Sequence, residues 1–348
     1  MPSTADYAAL SLLPPAWRID TVDQLRRGRD PCDVLESLLG TRRLGPGMTR
    51  ASIQSLAALA IARGASRGLT PLVWTDAAYP PMLAAIVDPP PMVWLRGCVE
   101  ALERQAVAIV GSRAGSPYAL AVAERLAADL AERGIAIVSG LARGVDSAAH
   151  RGALGAGGTT IGVLGSGADV VYPSEHKTLA QEMTARGAVL SELVPGTRPL
   201  PMFFPMRNRI ISGLSRAVVV VEAGEKSGSL ITARAALDQG RDVLAVPGNV
   251  LSGRNRGSHA LLRDGATIVE TAEDVLEELG LSPAPSSHRV GASAADPVLA
   301  CLTPGESSDV DTIAEQSGLS IARLLPRLFD LEVKGLVRRA GGGRFIRI

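Results

Sequence analysis

Residues 203–232 read FFPMRNRIISGLSRAVVVVEAGEKSGSLIT, and this stretch decides the fold. The apolar run Ala217–Val221 predicts a buried strand, which ends at Glu222. A small-residue loop, Lys226–Ser229, then leads into a helix predicted over Leu230–Asp238. A short apolar strand joined to a helix by a glycine-containing loop is typical of parallel sheets with helical crossovers.

The same alternation of strands and helices extends in both directions from this stretch. It predicts an α/β fold: a Rossmann-like, mostly parallel sheet with helices on both faces, over residues 70–280. The other predicted strands are Val107–Val110, Ile135–Val138, Thr160–Leu164, Ala188–Leu190, Asp242–Ala245 and Thr267–Val269, with helices at Pro117–Glu132, Val145–Leu154 and Ser174–Ala185. Ligands of such sheets bind at the carboxyl ends of the strands.

Smaller regions flank the predicted sheet. Residues 1–68 predict a small helical domain, in which Thr49 can cap a helix. The turn Gly45-Pro-Gly47 fits either a helix-hairpin-helix unit or a plain helical turn. Residues 281–297 are rich in Pro and Ser and predict a linker, and residues 298–348 predict a winged helix.

Composition limits the possible classes of function. The chain has 348 residues and a formal net charge of +1, so any nucleic-acid site must be a local patch. Three scattered cysteines and four scattered histidines predict no zinc site and fit a reducing compartment. The N-terminus lacks the pattern of a signal peptide, and no apolar run is long enough to span a membrane, so we expect a cytoplasmic protein.

Glycine-containing loops at the predicted strand ends carry the candidate site. Arg113 lies in the first loop, Gly111–Ser116, where its guanidinium can offer a bidentate fork to a phosphate or lie free on a tight turn. Neither G-x-G-x-x-G nor G-x-x-x-x-G-K-[ST] is present, so no standard nucleotide fingerprint applies. The turn Gly165-Ser-Gly167 is equally compatible with a structural role and with ligand contact.

The loop at residues 139–144 precedes a helix that carries Asp146 and His150 on one face. We expect these two side chains to pair and to support the loop, because the sequence shows no nucleophile nearby. Arg143 is the better candidate for contact with a ligand.

The opening stretch combines aromatic rings with guanidinium groups. Phe203 and Phe204 fall in a proline-bracketed segment predicted as a loop, where one ring either fills the core or stacks on a base. Arg207 and Arg209 are two apart at the start of a helix and point in divergent directions, so one can face a ligand while the other packs or pairs. Ser229 can cap the following helix.

Taken together, the motifs of this chain resemble those of the DNA processing protein A family (DprA, also called Smf). The matching motifs are VGSR at 110–113, SGLARGVDSAAH at 139–150, FPMRNRIISGLS at 204–215, EAGEKSGSLITA at 222–233, and VPGN with GSHALLRDGA at 246–266. Their order and spacing cover the central two thirds of the sequence.

The resemblance implies a non-enzymatic protein without a cofactor that binds single-stranded DNA taken up in natural transformation and protects it. It further implies that the protein helps to load the RecA recombinase and forms a homodimer through the Rossmann-like domain. The implied DNA-binding residues are Gly111, Ser112, Arg113, Ser139, Gly140, Arg143, Gly144, Phe204, Arg207, Asn208, Arg209, Lys226, Ser227, Gly228 and Ser229, with Asp146 and His150 as structural support and no metal ligand.

Other functions remain open at this point. A phosphoribohydrolase-like enzyme would carry a PGG-x-GT-x-x-E loop after the central strand, but the glutamate of that motif falls on Leu230 here. A transcription regulator could act through the winged helix, whose last strands carry several arginines that suit contact with either DNA or protein.

Overall fold

A computed structural model describes residues 3–42, 48–281, 296–303, 306–333 and 335–347. Within these residues, the apolar runs of the central sequence form one nine-stranded sheet in the order β1-β2-β6-β5-β4-β3-β7-β8-β9. The strands are β1 Thr70–Val73, β2 Met92–Gly97, β3 Ala106–Val110, β4 Ala136–Ser139, β5 Thr160–Val163, β6 Ala188–Ser191, β7 Ala217–Val220, β8 Asp242–Ala245 and β9 Thr267–Ile268.

The prediction of a mostly parallel, Rossmann-like sheet is confirmed. Strands β3 to β9 pair in parallel, whereas β1 and β2 form an antiparallel edge that the sequence pattern did not predict. The central helices are α5 Pro81–Ala84, α6 Pro117–Glu132, α7 Val145–Gly155, α8 Lys177–Met183, α9 Phe203–Gly213, α10 Ser229–Asp238, α11 Arg256–Arg263 and α12 Ala272–Glu278.

Both faces of the sheet are buried, which explains why its strands read as continuous apolar runs. In β3, Ala106, Ala108 and Val110 pack into one hydrophobic cluster, and Val107 and Ile109 pack into the cluster on the opposite face. This alternation follows from the two-residue period of a strand.

The order of the strands places a crevice at the carboxyl edge of the sheet. From β3 the chain proceeds through β4 and β5 to β6, and it then returns through α9 to β7 on the other side of β3. The loops after β3 and β7 therefore diverge at this point, the usual ligand position in open α/β sheets. The candidate loops predicted from the sequence all follow strands at this edge.

In the part of the chain that the structure describes, four α-helices precede the sheet in the sequence and pack against β2. They are α1 Thr4–Ser11, α2 Arg18–Arg26, α3 Pro31–Thr41 and α4 Arg50–Ser66. Their buried side chains share a cluster with Met92 and Trp94 of β2. Thr49 caps α4 as predicted, since its hydroxyl accepts from the Ser52 amide. The turn Gly45-Pro-Gly47 lies outside the described residues.

The C-terminal residues form the winged helix predicted from the sequence. Its elements are α13 Pro297–Ala300, β10 Ser307–Asp309, α14 Val310–Ser317, α15 Ile321–Val333, β11 Val337–Ala340 and β12 Arg344–Arg347, with strand order β10-β12-β11. These elements enclose a separate hydrophobic cluster. Most of the predicted linker, residues 281–297, lies outside the described residues. In the described part of the chain, no helix has the length and apolarity needed to cross a membrane.

Candidate nucleic-acid interface

An aromatic ring and a guanidinium group stack at the carboxyl edge of the sheet. Cζ of Arg113, in the loop after β3, lies 5.1 Å from the ring centroid of Phe204 at the start of α9. The ring of Tyr172, in the loop after β5, lies 5.6 Å from the Phe204 ring at an interplanar angle of 50°. A cation over an aromatic face is attracted by the ring quadrupole, so these side chains hold one another in place.

Helix α9 begins earlier than the sequence suggested. Phe203 and Phe204 were predicted in a loop, but they are the first residues of α9. The prediction was wrong because Pro199 and Pro201 constrain only the segment before α9, and Pro205 is tolerated in the first turn of a helix. The early start fixes the direction of the Phe204 ring. A side chain at Gly165 would lie 3.0 Å from that ring, so the glycine leaves room for it.

Exposed cations surround this aromatic pair. Arg113 and Lys226 are both exposed, and neither has an ion pair or side-chain hydrogen bond within the described residues. Their loops follow β3 and β7, the neighbouring strands at the crevice. The crevice therefore presents two cationic side chains without an ion-pair partner among the described residues.

The loops after β3 and β4 contact each other closely at Gly144, where a larger residue would not fit. Gly144 has φ +77°, and a Cβ at this position would overlap the carbonyl oxygen of Ser112. The amide of Val145 donates to that same oxygen at 3.2 Å. Ser139 is fully buried, and its hydroxyl donates to the carbonyl oxygen of Ile109 at 2.7 Å. The position of Arg113 thus depends on the conformation of its neighbouring loop.

Asp146 and His150 do not form the pair predicted from the sequence. The carboxylate of Asp146 accepts from the amides of Gly140 (3.1 Å) and Ala142 (3.4 Å), while Nδ1 of His150 lies 2.7 Å from the Thr160 hydroxyl. The prediction was wrong because the loop curls back over the first turn of α7 and brings its amides to Asp146. Burial raises the pKa of Asp146 and lowers the pKa of His150 to about 3.

Arg143 lies at the rim with a partner. Its Nε and Nη2 donate to the carboxylate of Glu175 at 2.5 and 2.8 Å. The hydrogen bond to Glu175 raises the pKa of Arg143, and the same bond lowers the pKa of Glu175. Both side chains are exposed, so the pair contributes little to stability and leaves further guanidinium donors in solvent.

Arg207 is buried beneath the crevice. Its Nη1 donates to the carbonyl oxygen of Gly140 at 2.7 Å and to that of Val163. A side chain at Gly140 would overlap this guanidinium. Burial lowers the pKa of Arg207 to about 10, which leaves it charged at neutral pH. Arg207 therefore ties α9 to the ends of β4 and β5.

The next two residues of α9 also have internal partners. Nδ2 of Asn208 donates to the carbonyl oxygen of Gly228 at 3.2 Å, which connects α9 to the loop after β7. Arg209 points away from Arg207: it pairs with Glu192, and its Nε lies 3.1 Å from Asp88. Asn208 and Arg209 are 8% and 9% exposed, so neither presents much surface to a ligand.

The loop after β7 leads into α10 without a side-chain cap. The N-cap is Gly228, and Ser229 is already the first helical residue, so the predicted capping role of Ser229 was wrong. Its hydroxyl instead lies 2.8 Å from that of Ser227. Gly228 is exposed, and it places the first amides of α10 at the crevice.

Two further side chains contribute to the site. Tyr172 is 46% exposed and packs on Phe204, a contact that the sequence indicates only as the packing of a loop anchor. Glu222 is only 2% exposed, and its carboxylate accepts from the Ser116 hydroxyl at 2.6 Å. A charged residue directly after an apolar strand was the available signal. Leu230 packs against the core, so no carboxylate occupies the position that the hydrolase motif requires.

Within the described residues, no group of histidine, cysteine, aspartate and glutamate side chains has the arrangement of a metal site. The cysteines Cys32, Cys98 and Cys301 are free.

Comparison with known proteins identifies similar sequences and folds. The family model described as DNA recombination-mediator protein A matches residues 70–280, and the model of the DprA winged helix domain matches residues 282–343. Protein Smf of Escherichia coli is 40% identical over 78% of this chain and 75% of its own length. DNA processing protein DprA of Streptococcus pneumoniae is 46% identical over 58% of this chain and 72% of its own length.

Two solved structures of DNA processing protein A are similar in fold. The protein from Streptococcus pneumoniae has a TM-score of 0.67 at 36% identity and covers 80% of this chain and 99% of its own. The protein from Helicobacter pylori, whose structure concerns its single-stranded DNA binding mode, has a TM-score of 0.55 at 30% identity. That match covers 61% of this chain and 95% of the other.

Proposed function

Because the chain belongs to the DNA recombination-mediator protein A family, we propose that it binds single-stranded DNA at the carboxyl edge of its sheet. The observation that carries the proposal is the exposed, unpaired guanidinium of Arg113 held over the face of Phe204. A ring that can stack on a base and a cation that can bind the next phosphate are the parts that single-strand binding requires.

The geometry favours an unpaired strand over a duplex. Phe204 offers a ring face, and bases expose their faces only when they are not stacked in a double helix. Such stacking does not depend on base identity, so the proposed binding is independent of sequence. Arg113 and Lys226 supply the phosphate contacts, and the amide of exposed Gly228 adds an uncharged donor at the start of α10, whereas the Ser229 amide donates to the Ser227 hydroxyl.

The remaining predicted residues divide by their surroundings. Gly111, Ser112 and Arg143 lie in the rim loops and are proposed to line the strand. The buried or internally bonded set is proposed to hold that rim in place; it comprises Ser139, Gly140, Gly144, Asp146, His150, Arg207, Asn208, Arg209 and Ser227.

The wider role is also a proposal. We infer that the protein acts in the cytoplasm without catalysing a reaction, protects incoming DNA in natural transformation and helps to load RecA. The names of its relatives as DNA processing proteins and of its family as a recombination mediator support this role. A homodimer through the Rossmann-like domain is supported by exposed apolar side chains of that domain, Ile231 and Leu237 of α10 and Ile268 of β9.

Oligothymidine binding at several salt concentrations tests the proposal. We expect the logarithm of the affinity to fall by about 0.7 per phosphate contact against the logarithm of salt concentration. Arg113→Ala should weaken binding and reduce that slope by about one contact, because it removes an exposed cation without an internal partner. Arg67→Ala, at an exposed arginine after α4, is the matched control and should bind like the wild type. A wild-type protein that binds no oligothymidine at low salt would disprove the proposal.

A further inference from the structure

The loop after β8 projects apolar side chains into solvent at the same edge of the sheet. This β8 loop, residues 247–255, includes most of the VPGN motif at 246–249, for which the proposed site gives no reason. Val250 is 75% exposed and Leu251 is 92% exposed. The two adjacent side chains form a small exposed apolar patch, which is a candidate for contact with a ligand.

Hydrogen bonds hold the β8 loop in this shape. The Leu251 amide donates to Oδ1 of Asn249 at 2.8 Å, and the Ser252 hydroxyl donates to the Asn249 carbonyl at 3.1 Å. Nε2 of His259 lies 3.1 Å from the carbonyl oxygen of Gly248. Asn255 is 5% exposed and closes the base of the loop against Gly248. The hydrogen-bonded turn therefore keeps the side chains of Val250 and Leu251 in solvent.

The β8 loop is continuous with the proposed strand site. Nη1 of Arg254 donates to the carbonyl oxygen of Ala114 at 2.8 Å, and Ala114 is the residue after Arg113. Arg254 remains 53% exposed, and its other guanidinium donors are available. The two arginines thus line one rim.

The charges around the β8 loop favour an anionic occupant. Arg256 is 68% exposed and lies 3.5 Å from the equally exposed carboxylate of Glu225. The carboxylate of Glu222 lies 4.0 Å from Arg254, but it is buried and already bonded to Ser116. Arg256 is therefore balanced by Glu225, and Arg254 is the exposed cation beside the apolar tip that has no exposed carboxylate as its partner in the described part of the chain.

We propose that the β8 loop is a second contact for the same DNA strand, an inference that rests on the proposed function. Arg254 binds a backbone phosphate beyond the one bound by Arg113. Leu251 inserts between two successive bases, as apolar side chains do in other DNA complexes, and a single strand offers such gaps without any loss of base pairing. Strand binding then extends from Phe204 across the loop after β3 to the β8 loop.

Oligothymidines of about 5 and about 15 nucleotides, lengths within the range of single-strand sites, test the inference with the full-length protein. The longer strand carries two adjacent 2-aminopurines, whose fluorescence increases when they are separated. Leu251→Ala should weaken binding of the longer strand roughly threefold to tenfold, lower the fluorescence gain and leave the salt slope unchanged. Arg254→Ala should reduce the salt slope by about 0.7. Leu251→Ala should not change binding of the shorter strand when Phe204 and Arg113 bind it.

Leu59→Ala is the matched control, because Leu59 is 65% exposed on α4, among the N-terminal helices. It should match the wild type in every assay. If Leu251→Ala and Arg254→Ala both bind the longer strand like the wild type while Arg113→Ala binds weakly, the inference is wrong and the proposed function stands. If the wild type binds neither strand, both are wrong. Binding to anionic phospholipid vesicles that is lost only in Leu251→Ala, with unchanged DNA binding, would assign the loop to a membrane surface and overturn the inference.

Discussion

The arginines of the opening stretch show how the same residue type can serve two purposes. Arg113 is exposed and lies over an aromatic face, whereas Arg209 lies between the carboxylates of Asp88 and Glu192. Glu192 also lies 3.1 Å from Nη2 of Arg18 in α2. This buried network joins α9 to the N-terminal helices, so Arg209 contributes to the structure that carries the site.

Arg209→Met should lower the free energy of unfolding by about 3 kcal/mol, because the buried Glu192 carboxylate loses one of its two arginine partners and Asp88 loses its ion pair. Urea unfolding of the wild type and the variant measures the difference. The double variant Arg209→Met with Asp88→Asn should recover part of the loss, since Asp88 then carries no unpaired charge and Glu192 keeps Arg18 as its partner. Unchanged stability of Arg209→Met together with lost oligothymidine binding would instead show that Arg209 contacts DNA directly.

His150 gives the protein a predictable dependence of stability on pH. Burial lowers its pKa from 6.5 to about 3, so below pH 6.5 the unfolded chain takes up a proton that the folded chain does not. The free energy of unfolding therefore has its full His150 contribution above pH 6.5. This contribution decreases as pH falls, by at most about 1.4 kcal/mol per pH unit.

In His150→Asn, the side-chain amide can still form a hydrogen bond with the Thr160 hydroxyl, but it does not titrate. Its unfolding free energy should therefore fall less than that of the wild type between about pH 6.5 and about pH 5, above the range where most carboxylates titrate. Urea unfolding at several pH values checks this expectation. Parallel pH profiles for the two proteins would show that His150 already titrates normally in the folded state.

Only part of this residue-level account could be predicted from the sequence. The position of Arg113 directly after an apolar strand predicted its place at the carboxyl edge, because strand ends of a parallel sheet share one side. The partners of Arg209 could not be predicted, since Asp88 and Glu192 are distant in sequence and adjacent only after folding. The Asp146–His150 pair was also mispredicted. Helical spacing shows which side chains share a face, but it does not show that a loop amide, here that of Gly140, will donate to Asp146 after folding.

At the scale of elements, the site depends on loops that fit against one another. The loops after β3 and β4 meet at Gly144 and Ser112, and Arg207 of α9 joins the loop after β4 to the end of β5. The strands and long helices were predictable from apolar periodicity, because the period is local. The start of α9 was not, since proline gives the same signal at the first turn of a helix and in a loop.

Gly144→Ala should disturb both the fold and the site. The substituted residue would adopt φ +77° and also overlap the Ser112 carbonyl, so we expect a loss of at least about 1 kcal/mol in stability and weaker oligothymidine binding. Thermal unfolding and a binding titration measure the two effects.

Gly134→Ala is the matched control for that substitution. Gly134 has φ +81°, but a side chain there would meet no atom within 4 Å. It carries the backbone strain without the overlap, so it should lose stability but bind oligothymidine normally. Equal DNA-binding defects in the two variants would show that the contact between the loops is irrelevant to the site.

At the scale of the whole molecule, the binding site and the winged helix are built around separate cores. The buried residues of the winged helix form one cluster, and those of the sheet form others with no shared members. In α15, Ile321, Leu325 and Phe329 follow one another at four-residue spacing, and each is at least 44% exposed. This apolar face is unlike a surface that reads phosphates or base edges.

Deleting residues 285–348 should therefore leave oligothymidine binding within about twofold of the wild type, because every proposed contact lies before that segment. The same titration in matched salt measures the effect, and circular dichroism checks that the truncated chain is folded. A large loss of affinity in a folded truncation would place an essential part of the site in the winged helix.

A crystal structure of the full-length protein with a short oligothymidine tests the central claim most directly. We expect a thymine stacked on the ring of Phe204 and a phosphate within hydrogen-bonding distance of Arg113, at the carboxyl edge of the sheet. A strand bound on the N-terminal helices or the winged helix, with Phe204 and Arg113 untouched, would contradict it.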